Sequence, residues 1–483
     1  MKLDKLLNKV DYIGDISTDI DIGNIAYDSR NVNGESCFVA IKGTLFNGHE
    51  YIEKALDKGA KLIIIDDGTF LSDSKPIIKV ANSRKALSDI SANFFDNVSK
   101  DMNVIGITGT NGKTTVSYII KKILDELGSD CSYLGTLGFM INNEISSMGF
   151  TTPESLELHS MLKLIKNSGI NYSVMEVSSH SLDQYRVDSV KFDSAVFTNL
   201  TQDHLDYHKN MENYFAAKSK LFTGLNQSAY SVINIDDNYG IKLYESINSN
   251  KISFGFSNSA DIHIKKIKSS INKTNCTVSI FKEAFEFENN LIGDYNISNI
   301  MAAIGSVISM GYKASDIINV INRTNLCVPG RMELVIQNHR KYIYIDYAHT
   351  PDAYKKIFTT IKKIDKTYEV ISVFGCGGDR DSDKRSKMAY IAETYCDKIF
   401  VTSDNPRFEN LDKILDDIVS GFKSSKYQIV KDRKTAIERA IDSMGDKSIL
   451  LILGKGQENY QIINDNKIFF SDFETIKEHV YAN

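Results

Sequence analysis

Gly106-Ile107-Thr108-Gly109-Thr110-Asn111-Gly112-Lys113-Thr114-Thr115 sits behind the apolar pair Val104-Ile105 and ahead of Val116, Ile119, Ile120, Ile123, Leu124 and Leu127, which recur at helical spacing. A strand, a glycine turn and a helix in that order are what a phosphate-binding loop requires. Glycines let main-chain N–H groups converge on phosphate, and the helix N-terminus adds positive potential. Lys113 can reach the outer phosphates, and Thr114 or Thr115 can ligate Mg²⁺. Ile107 stands five residues before Gly112, where the common phosphate-loop pattern has glycine, and this departure separates the loop from ordinary phosphate-loop ATPases.

Working outward, buried-strand runs recur at 172–177, 194–198 and 230–235, and a more alternating β-type stretch covers 260–288. Upstream, short apolar runs at 37–41 and 61–65 flank a helical segment near 51–58. After Pro329-Gly330 the pattern restarts, with strands at 342–346, 370–374, 398–402 and 448–453 and helices near 352–364 and 384–395. Strands alternating with helices of this length imply mostly parallel sheets covered on both faces. The expectation is an α/β protein of three domains, 1–98, 99–329 and 330–483. The central one carries a P-loop ATPase-like parallel sheet, and the C-terminal one is Rossmann-like.

Composition narrows the function classes. Apolar residues are 42% and charged residues 25% of the 483, the balance of a soluble globular chain. A net charge of −5 supplies no concentrated basic surface for nucleic acid. No apolar run approaches the roughly 20 residues of a spanning helix, and the N-terminus, Met1-Lys2-Leu3-Asp4-Lys5-Leu6, lacks the pattern of a signal peptide. A cytoplasmic chain without membrane insertion is expected. Cys37, Cys131, Cys276, Cys327, Cys376 and Cys396 form no CxxC pair, so they read as reduced, mostly buried thiols.

Two further segments end predicted strands, where an α/β sheet presents its ligand edge. Glu176, in Met175-Glu176-Val177-Ser178-Ser179-His180, can hold Mg²⁺ against phosphates. His204, in Asp203-His204-Leu205-Asp206-Tyr207-His208, could serve a second cation or the transferring phosphate. Lys218, on the helical stretch Tyr214-Phe215-Ala216-Ala217-Lys218, reads from sequence alone as a surface lysine.

The Gly109–Thr115 loop, together with these segments in this order, resembles the Mur ligases and the related folylpolyglutamate synthetases, and the likeness spans residues about 25–472. The resemblance implies an ATP-dependent acid–amino-acid ligase with ATP and Mg²⁺ as cofactors. Gly109, Thr110, Asn111, Gly112, Lys113, Thr114 and Thr115 would hold the phosphates. Thr114, Glu176, His204 and Lys218 would hold metal, Lys218 as a carbamate formed with CO₂ (N6-carboxylysine). An amine must be uncharged to capture CO₂, so neighbouring cations that lower its pKa would help. Asn296 and Asn299 resemble the family's adenine contacts. Arg331, Asp346 and His349 resemble its ATP-closing elements, and Lys113, His204, Lys218 and Arg331 would be catalytic.

Within the family the likeness is to the branch that adds a diamino acid to UDP-N-acetylmuramoyl-L-alanyl-D-glutamate during peptidoglycan synthesis. Asp28-Ser29-Arg30 and the loop Gly43-Thr44-Leu45-Phe46-Asn47-Gly48 resemble its uridine-binding parts. Ser29, Thr151, Thr152, Ser179, Gln184 and Arg186 would contact the nucleotide-sugar-peptide. Asp404-Asn405-Pro406-Arg407 resembles the quartet that selects meso-diaminopimelate. Diaminopimelate differs from lysine by a second carboxylate, which a guanidinium at Arg407 can bind bidentately. Arg380, Gly454 and Glu458 would complete that pocket. Gln457 replaces a histidine common in the motif Gly454-Lys455-Gly456-Gln457-Glu458. Meso-lanthionine or L-lysine as the amine, and a non-catalytic ATP-binding protein, are the alternatives. The chain is expected to work as a monomer.

Overall fold

The computed structural model describes the chain apart from residues 18, 44, 45, 73, 143 and 483. The backbone divides into two compact units, Met1–Ile262 with Ala302–Ala314, and His263–Met301 with Ser315–Asn483. No helix among the described residues is long and apolar enough to cross a membrane.

The first unit holds two α/β domains. Among the described residues, its N-terminal sheet runs in the order Tyr12–Ile13, Ile77–Val80, Leu62–Ile65, Ser36–Val39, Asn24–Ala26. All pairings are parallel except that of Tyr12–Ile13. Leu62 and Ile64 enter one apolar cluster and Ile63 and Ile65 another, because successive strand side chains alternate between faces. A run of four apolar residues therefore marks a strand covered on both sides.

The larger sheet of this unit places Asn250–Gly255, Tyr230–Asn234, Ser194–Phe197, Asn103–Thr108, Tyr172–Glu176 and Cys131–Gly135 side by side in parallel. Two antiparallel strands, Gly138–Ile141 and Glu144–Ser146, follow. The chain leaves Asn103–Thr108 through the helix Lys113–Glu126 and returns at Cys131–Gly135, skipping the place taken by Tyr172–Glu176. The phosphate-type loop thus lies at the point where strand order reverses, the position at which open α/β sheets bind ligands. The helix buries Val116, Ile119, Ile120, Ile123 and Leu124, the face its sequence spacing predicts.

In the second unit, Thr274–Ile280 and Glu283–Asn289 form an antiparallel hairpin. A six-stranded sheet runs Glu333–Asn338, Lys341–Asp346, Ser448–Leu453, Glu369–Phe374, Lys398–Val401, Tyr427–Ile429, parallel except at its first edge. Its faces are covered separately. The helices Pro351–Ile364, Asp383–Tyr395 and Leu411–Val419 pack with Val370, Leu451 and Leu453. Arg433–Asp442 and Asp472–Ala482 pack with Ile371, Val373, Leu450 and Ile452. This doubly wound arrangement is the Rossmann-like architecture expected, and with the two sheets of the first unit it gives the expected three-domain α/β class. The expected strands and helices fall within one or two residues of those observed. The edge strand Glu333–Asn338 and the hairpin Tyr460–Ile463/Asn466–Phe469 are absent from the expected set because their residues are half-buried or exposed, and the buried strands Ile77–Val80, Cys131–Gly135 and Asn250–Gly255 are absent from it as well.

Candidate active site

Gly109 and Gly112 adopt φ of 147° and 93°, in the region that favours glycine. A Cβ on Gly109 would lie 1.9 Å from Thr198 Oγ1, so the loop packs directly on the segment after the Ser194–Phe197 strand. Thr110 N donates to Asn199 O (2.9 Å), Asn111 N to Asn199 Oδ1 (3.0 Å), and Thr198 Oγ1 to Asn111 O (2.6 Å). The main-chain donors of Thr110 and Asn111 therefore hold the loop itself in shape. Lys113 Nζ donates to Gly109 O and Thr110 O, each at 3.0 Å.

Glu176, at the end of its strand, is 1% exposed. Oε1 accepts from Thr136 N (2.8 Å) and the Tyr133 hydroxyl, and Oε2 from Thr114 Oγ1 and Thr136 Oγ1 (each 3.1 Å). A hydroxyl that donates its proton to Glu176 turns its lone pairs away from it, so Thr114 can offer oxygen to a cation while the carboxylate holds it in place. The donor set is oxygen-rich and anionic, which suits Mg²⁺. Tyr133 and Thr136 escaped the sequence reading. Tyr133 lies within the neighbouring strand Cys131–Gly135 and Thr136 just beyond it, and only the pairing of that strand with Tyr172–Glu176 brings both beside Glu176.

Lys218 corrects the expectation of a surface lysine: it is 1% exposed on the helix Met211–Thr223. Nζ donates to Gly109 O at 2.8 Å and lies 4.7 Å from the centre of the Tyr214 ring. Burial, reinforced by the positive charge of Lys113, holds its pKa well below 10.5. The period of the helix places Lys218 on the face of Tyr214, Leu221 and Phe222, which is buried.

His204 caps the short helix Leu205–His208 with φ 52°, and its ring packs edge-on to His180 at 4.9 Å. Desolvation lowers its pKa, with His180, Lys113 and Lys218 acting in the same direction. His208 is held down to about 4, chiefly by burial, and its Nε2 lies 2.9 Å from Ser179 Oγ. Both shifts favour the neutral imidazole.

Of the residues expected to meet the sugar-linked peptide, Thr151, Thr152, Gln184 and Arg186 form one hydrogen-bonded group. Thr152 Oγ1 donates to Glu176 O (2.9 Å), and Arg186 donates to Thr152 O (3.1 Å) and Gln184 Oε1 (2.7 Å) while pairing with Glu154 (2.9 Å). Thr151 Oγ1 lies 3.5 Å from Thr136 Oγ1, which ties this group to the Glu176 cradle. Ser29 is buried in the N-terminal domain, where its carbonyl accepts from Lys58 Nζ (2.9 Å). Thr44 and Leu45 of the expected uridine loop lie outside the described residues.

In the second unit, Asn299 Nδ2 donates to Asn296 Oδ1 (3.3 Å), and Asn296 Nδ2 to Ile292 O (2.9 Å). Arg331 stacks 4.3 Å over the Tyr347 ring. Burial raises the pKa of Asp346, whose carboxylate accepts from Met332 N and Ala348 N (2.6 and 2.7 Å). His349 Nδ1 donates to Tyr347 O (2.8 Å).

The turn Asp404-Asn405-Pro406-Arg407 follows the strand Lys398–Val401. Asn405 is its hub: Nδ2 donates to Glu458 Oε2 (3.0 Å), and Oδ1 accepts from Ile462 N (3.0 Å) and Lys455 Nζ (3.3 Å). Arg407, at φ 53°, donates from Nη1 to Gly378 O (2.8 Å). Side chains at three glycines would collide with this pocket: a Cβ on Gly378 would lie 1.9 Å from Pro406 O, on Gly377 2.9 Å from Arg407 Nη1, and on Gly454 2.7 Å from Asp404 Oδ2. Arg380 is exposed, and among the described residues no hydrogen bond or ion pair joins it to this turn. Lys455, fully buried, was not anticipated.

The first unit thus carries a phosphate-type loop with a buried lysine beside it. The chain belongs to the Mur ligase family: residues 107–307 match the Mur ligase middle domain, 330–456 the Mur ligase glutamate ligase domain, and 21–95 the Mur ligase family catalytic domain. It is 39% identical over 485 residues to UDP-N-acetylmuramoyl-L-alanyl-D-glutamate–2,6-diaminopimelate ligase 1 of Clostridium acetobutylicum, with 99% of each chain covered. A 2,6-diaminopimelate ligase of the same description from Aquifex aeolicus is 41% identical, with 95% of this chain and 93% of that one covered. A solved structure of such a ligase superposes with a TM-score of 0.73 at 27% identity, covering 100% and 99% of the two chains. Folylpolyglutamate synthase of Mycobacterium tuberculosis, solved with ADP and AMPPCP, shares the fold with a TM-score of 0.64 at 14% identity, covering 76% of this chain and 92% of that one.

Proposed function

We propose that this chain joins meso-2,6-diaminopimelate to UDP-N-acetylmuramoyl-L-alanyl-D-glutamate, converting ATP to ADP and phosphate, in the cytoplasm and as a step of peptidoglycan synthesis. The observation that carries this reading is the pocket around Asn405, which gathers the Arg407 guanidinium with two carboxylates, Asp404 and Glu458, the latter paired to the buried Lys455 ammonium at 3.3 Å. A terminal carboxylate and ammonium on one substrate match that charge pattern. Among the described residues the Arg407 side chain makes one hydrogen bond, to Gly378 O, so a guanidinium with five N–H groups retains donors for a bidentate carboxylate. The match to diaminopimelate ligases over nearly the full length supports the same substrate.

Residues 1–98 would hold the uridine nucleotide, 99–329 ATP, and 330–483 the amine. The N-terminus of the Lys113–Glu126 helix, whose N-cap Gly112 carries no capping side chain, would receive the phosphates together with Lys113. Thr114, Glu176, His204 and Lys218 would hold Mg²⁺, which neutralises charge on the phosphates when bound. Because Lys218 is buried beside Lys113, its amine keeps its lone pair for CO₂. The N–C bond forms as the nitrogen gives up a proton to solvent, and the uncharged amine becomes an anionic carbamate. The D-glutamate γ-carboxylate would then attack the γ-phosphorus, ADP would leave, and the amine would attack the acyl phosphate. The tetrahedral intermediate collapses to the amide with loss of phosphate. Positioning and charge neutralisation carry these steps.

The test is phosphate release from ATP by the purified chain with Mg²⁺ and bicarbonate. Release is expected only when the UDP-linked dipeptide and meso-diaminopimelate are both present. Release without the dipeptide, or none with both, overturns the reading.

A further inference from the structure

The Arg433 guanidinium is completely buried in a bidentate pair with Asp472, Nε to Oδ1 at 2.8 Å and Nη2 to Oδ2 at 2.7 Å. Its outer edge does something an ordinary core ion pair does not. Nη2 also donates to Leu453 O (3.1 Å), and Nη1 donates to Ser403 O (3.3 Å). Those carbonyls immediately precede Asp404 and Gly454, the first residues of the two segments that form the amine pocket. The strands that deliver them, Lys398–Val401 and Ser448–Leu453, are not neighbours, because Glu369–Phe374 runs between them. Two strand spacings of about 4.8 Å separate them, so no main-chain ladder can fix one loop against the other. Gly375 directly follows the intervening strand, and a Cβ there would lie 2.3 Å from Thr402 O, so the Thr402 segment closes over the strand's end. Gly454 in turn passes so near Asp404 that any side chain would strike Oδ2.

We propose that Arg433, held by Asp472 of the terminal helix, is a positioning residue that sets the spacing between the Asp404–Arg407 turn and the Gly454–Glu458 loop and so tunes capture of the diamino acid. The inference rests on the proposed function of that pocket. A rigid planar fork is needed, because one group must bind a carboxylate on one edge and two divergent carbonyls on the other. Lysine offers charge without that geometry. A fully buried ion pair is weak support for stability, since a well-packed apolar pair is often as stable or more so. The fork's bonds to the pocket's own backbone give this pair a second task. Asp472 also lies beyond residue 456, where the match to the glutamate ligase domain ends, so the last helix is tied to substrate selection.

The test uses the full-length chain with two variants, Arg433→Lys and the paired Arg433→Met/Asp472→Leu. For each, kcat and KM are measured separately for meso-diaminopimelate, ATP and the UDP-linked dipeptide at 25 °C, beside a thermal unfolding curve. Misplacement of a binding group by about 1 Å can cost about 10²-fold. The expected result is a fall of that order in kcat/KM for diaminopimelate, carried mainly by KM, while KM for ATP and for the dipeptide stays within about twofold of wild type. Equal KM values for diaminopimelate in a folded variant would make the pair purely structural and overturn the proposal. Arg433→Lys keeps the charge opposite Asp472 and decides the matter if the apolar pair does not fold. A wild-type chain that turns over no diaminopimelate would instead strike the functional reading, and the two failures are told apart by the wild-type control.

Discussion

Replacing Lys218 with methionine should separate folding from chemistry at this site. Lys218 is 1% exposed, and its one short hydrogen bond runs from Nζ to Gly109 O at 2.8 Å. Lys113 Nζ donates to the same oxygen at 3.0 Å, so the substitution leaves no orphaned acceptor. One hydrogen bond of a neutral amine is worth about 1 kcal/mol, and methionine fills a similar volume at a cost below about 1.5 kcal/mol. An opposing gain follows from the titration. Burial holds the folded amine well below its ordinary 10.5. Between the lowered value and 10.5 the unfolded chain therefore holds a proton that the folded one gives up, and wild-type stability rises with pH across that window. Methionine lacks this proton and removes the slope. The variant should unfold within a few degrees of wild type at pH 8 and show a flatter alkaline pH dependence in thermal unfolding. In phosphate-release assays its turnover should fall by about 10²–10³-fold, the scale of losing a preorganised charge, with no rescue by excess bicarbonate. A variant that folds and turns over normally would remove the carbamate from the mechanism, and a large loss of stability would mean that the buried amine is charged and paired.

His159 is fully buried with no hydrogen-bond partner on either ring nitrogen, and burial lowers its pKa from 6.5 to about 4. Its contribution to stability is present above pH 6.5 and is lost as pH falls through that window, about 3 kcal/mol in all; His159→Leu should flatten acid unfolding there, and an unaltered profile would show that this imidazole does not titrate alone. Gly109→Ala would force a Cβ to 1.9 Å from Thr198 Oγ1 at φ 147°, with strain of about 1–3 kcal/mol. ATP affinity by calorimetry should weaken by about 10–100-fold, and an unchanged Kd would mean that the loop rearranges freely. Arg407→Ala should reduce kcat/KM for diaminopimelate far more than for L-lysine; equal losses would assign selection to another group.

What the sequence disclosed and what it withheld follow from how each feature is encoded. The Gly109–Lys113 loop was legible because its strand, turn and helix are contiguous, and the strand runs 62–65 and 449–453 because every residue in them is buried apolar. Lys218 was misread as a surface residue because its environment comes from Gly109 and Lys113, about a hundred residues upstream. Tyr133 and Thr136 become partners of Glu176 only through the parallel register of two strands some forty residues apart. Arg433 and Asp472 likewise look like ordinary surface charges until the terminal helix folds back under the sheet. Arg380, by contrast, is near the pocket residues in motif order yet is exposed.

The most direct measurement is the mass of the product formed by the purified chain from ATP, the UDP-linked L-alanyl-D-glutamate and an equimolar mixture of meso-diaminopimelate, meso-lanthionine, L-lysine and L-ornithine. The dominant product should carry the mass of one added diaminopimelate, less one water. A product carrying lysine or ornithine in preference, or no coupled product at all, would contradict the assignment of Arg407 as the partner of a distal carboxylate.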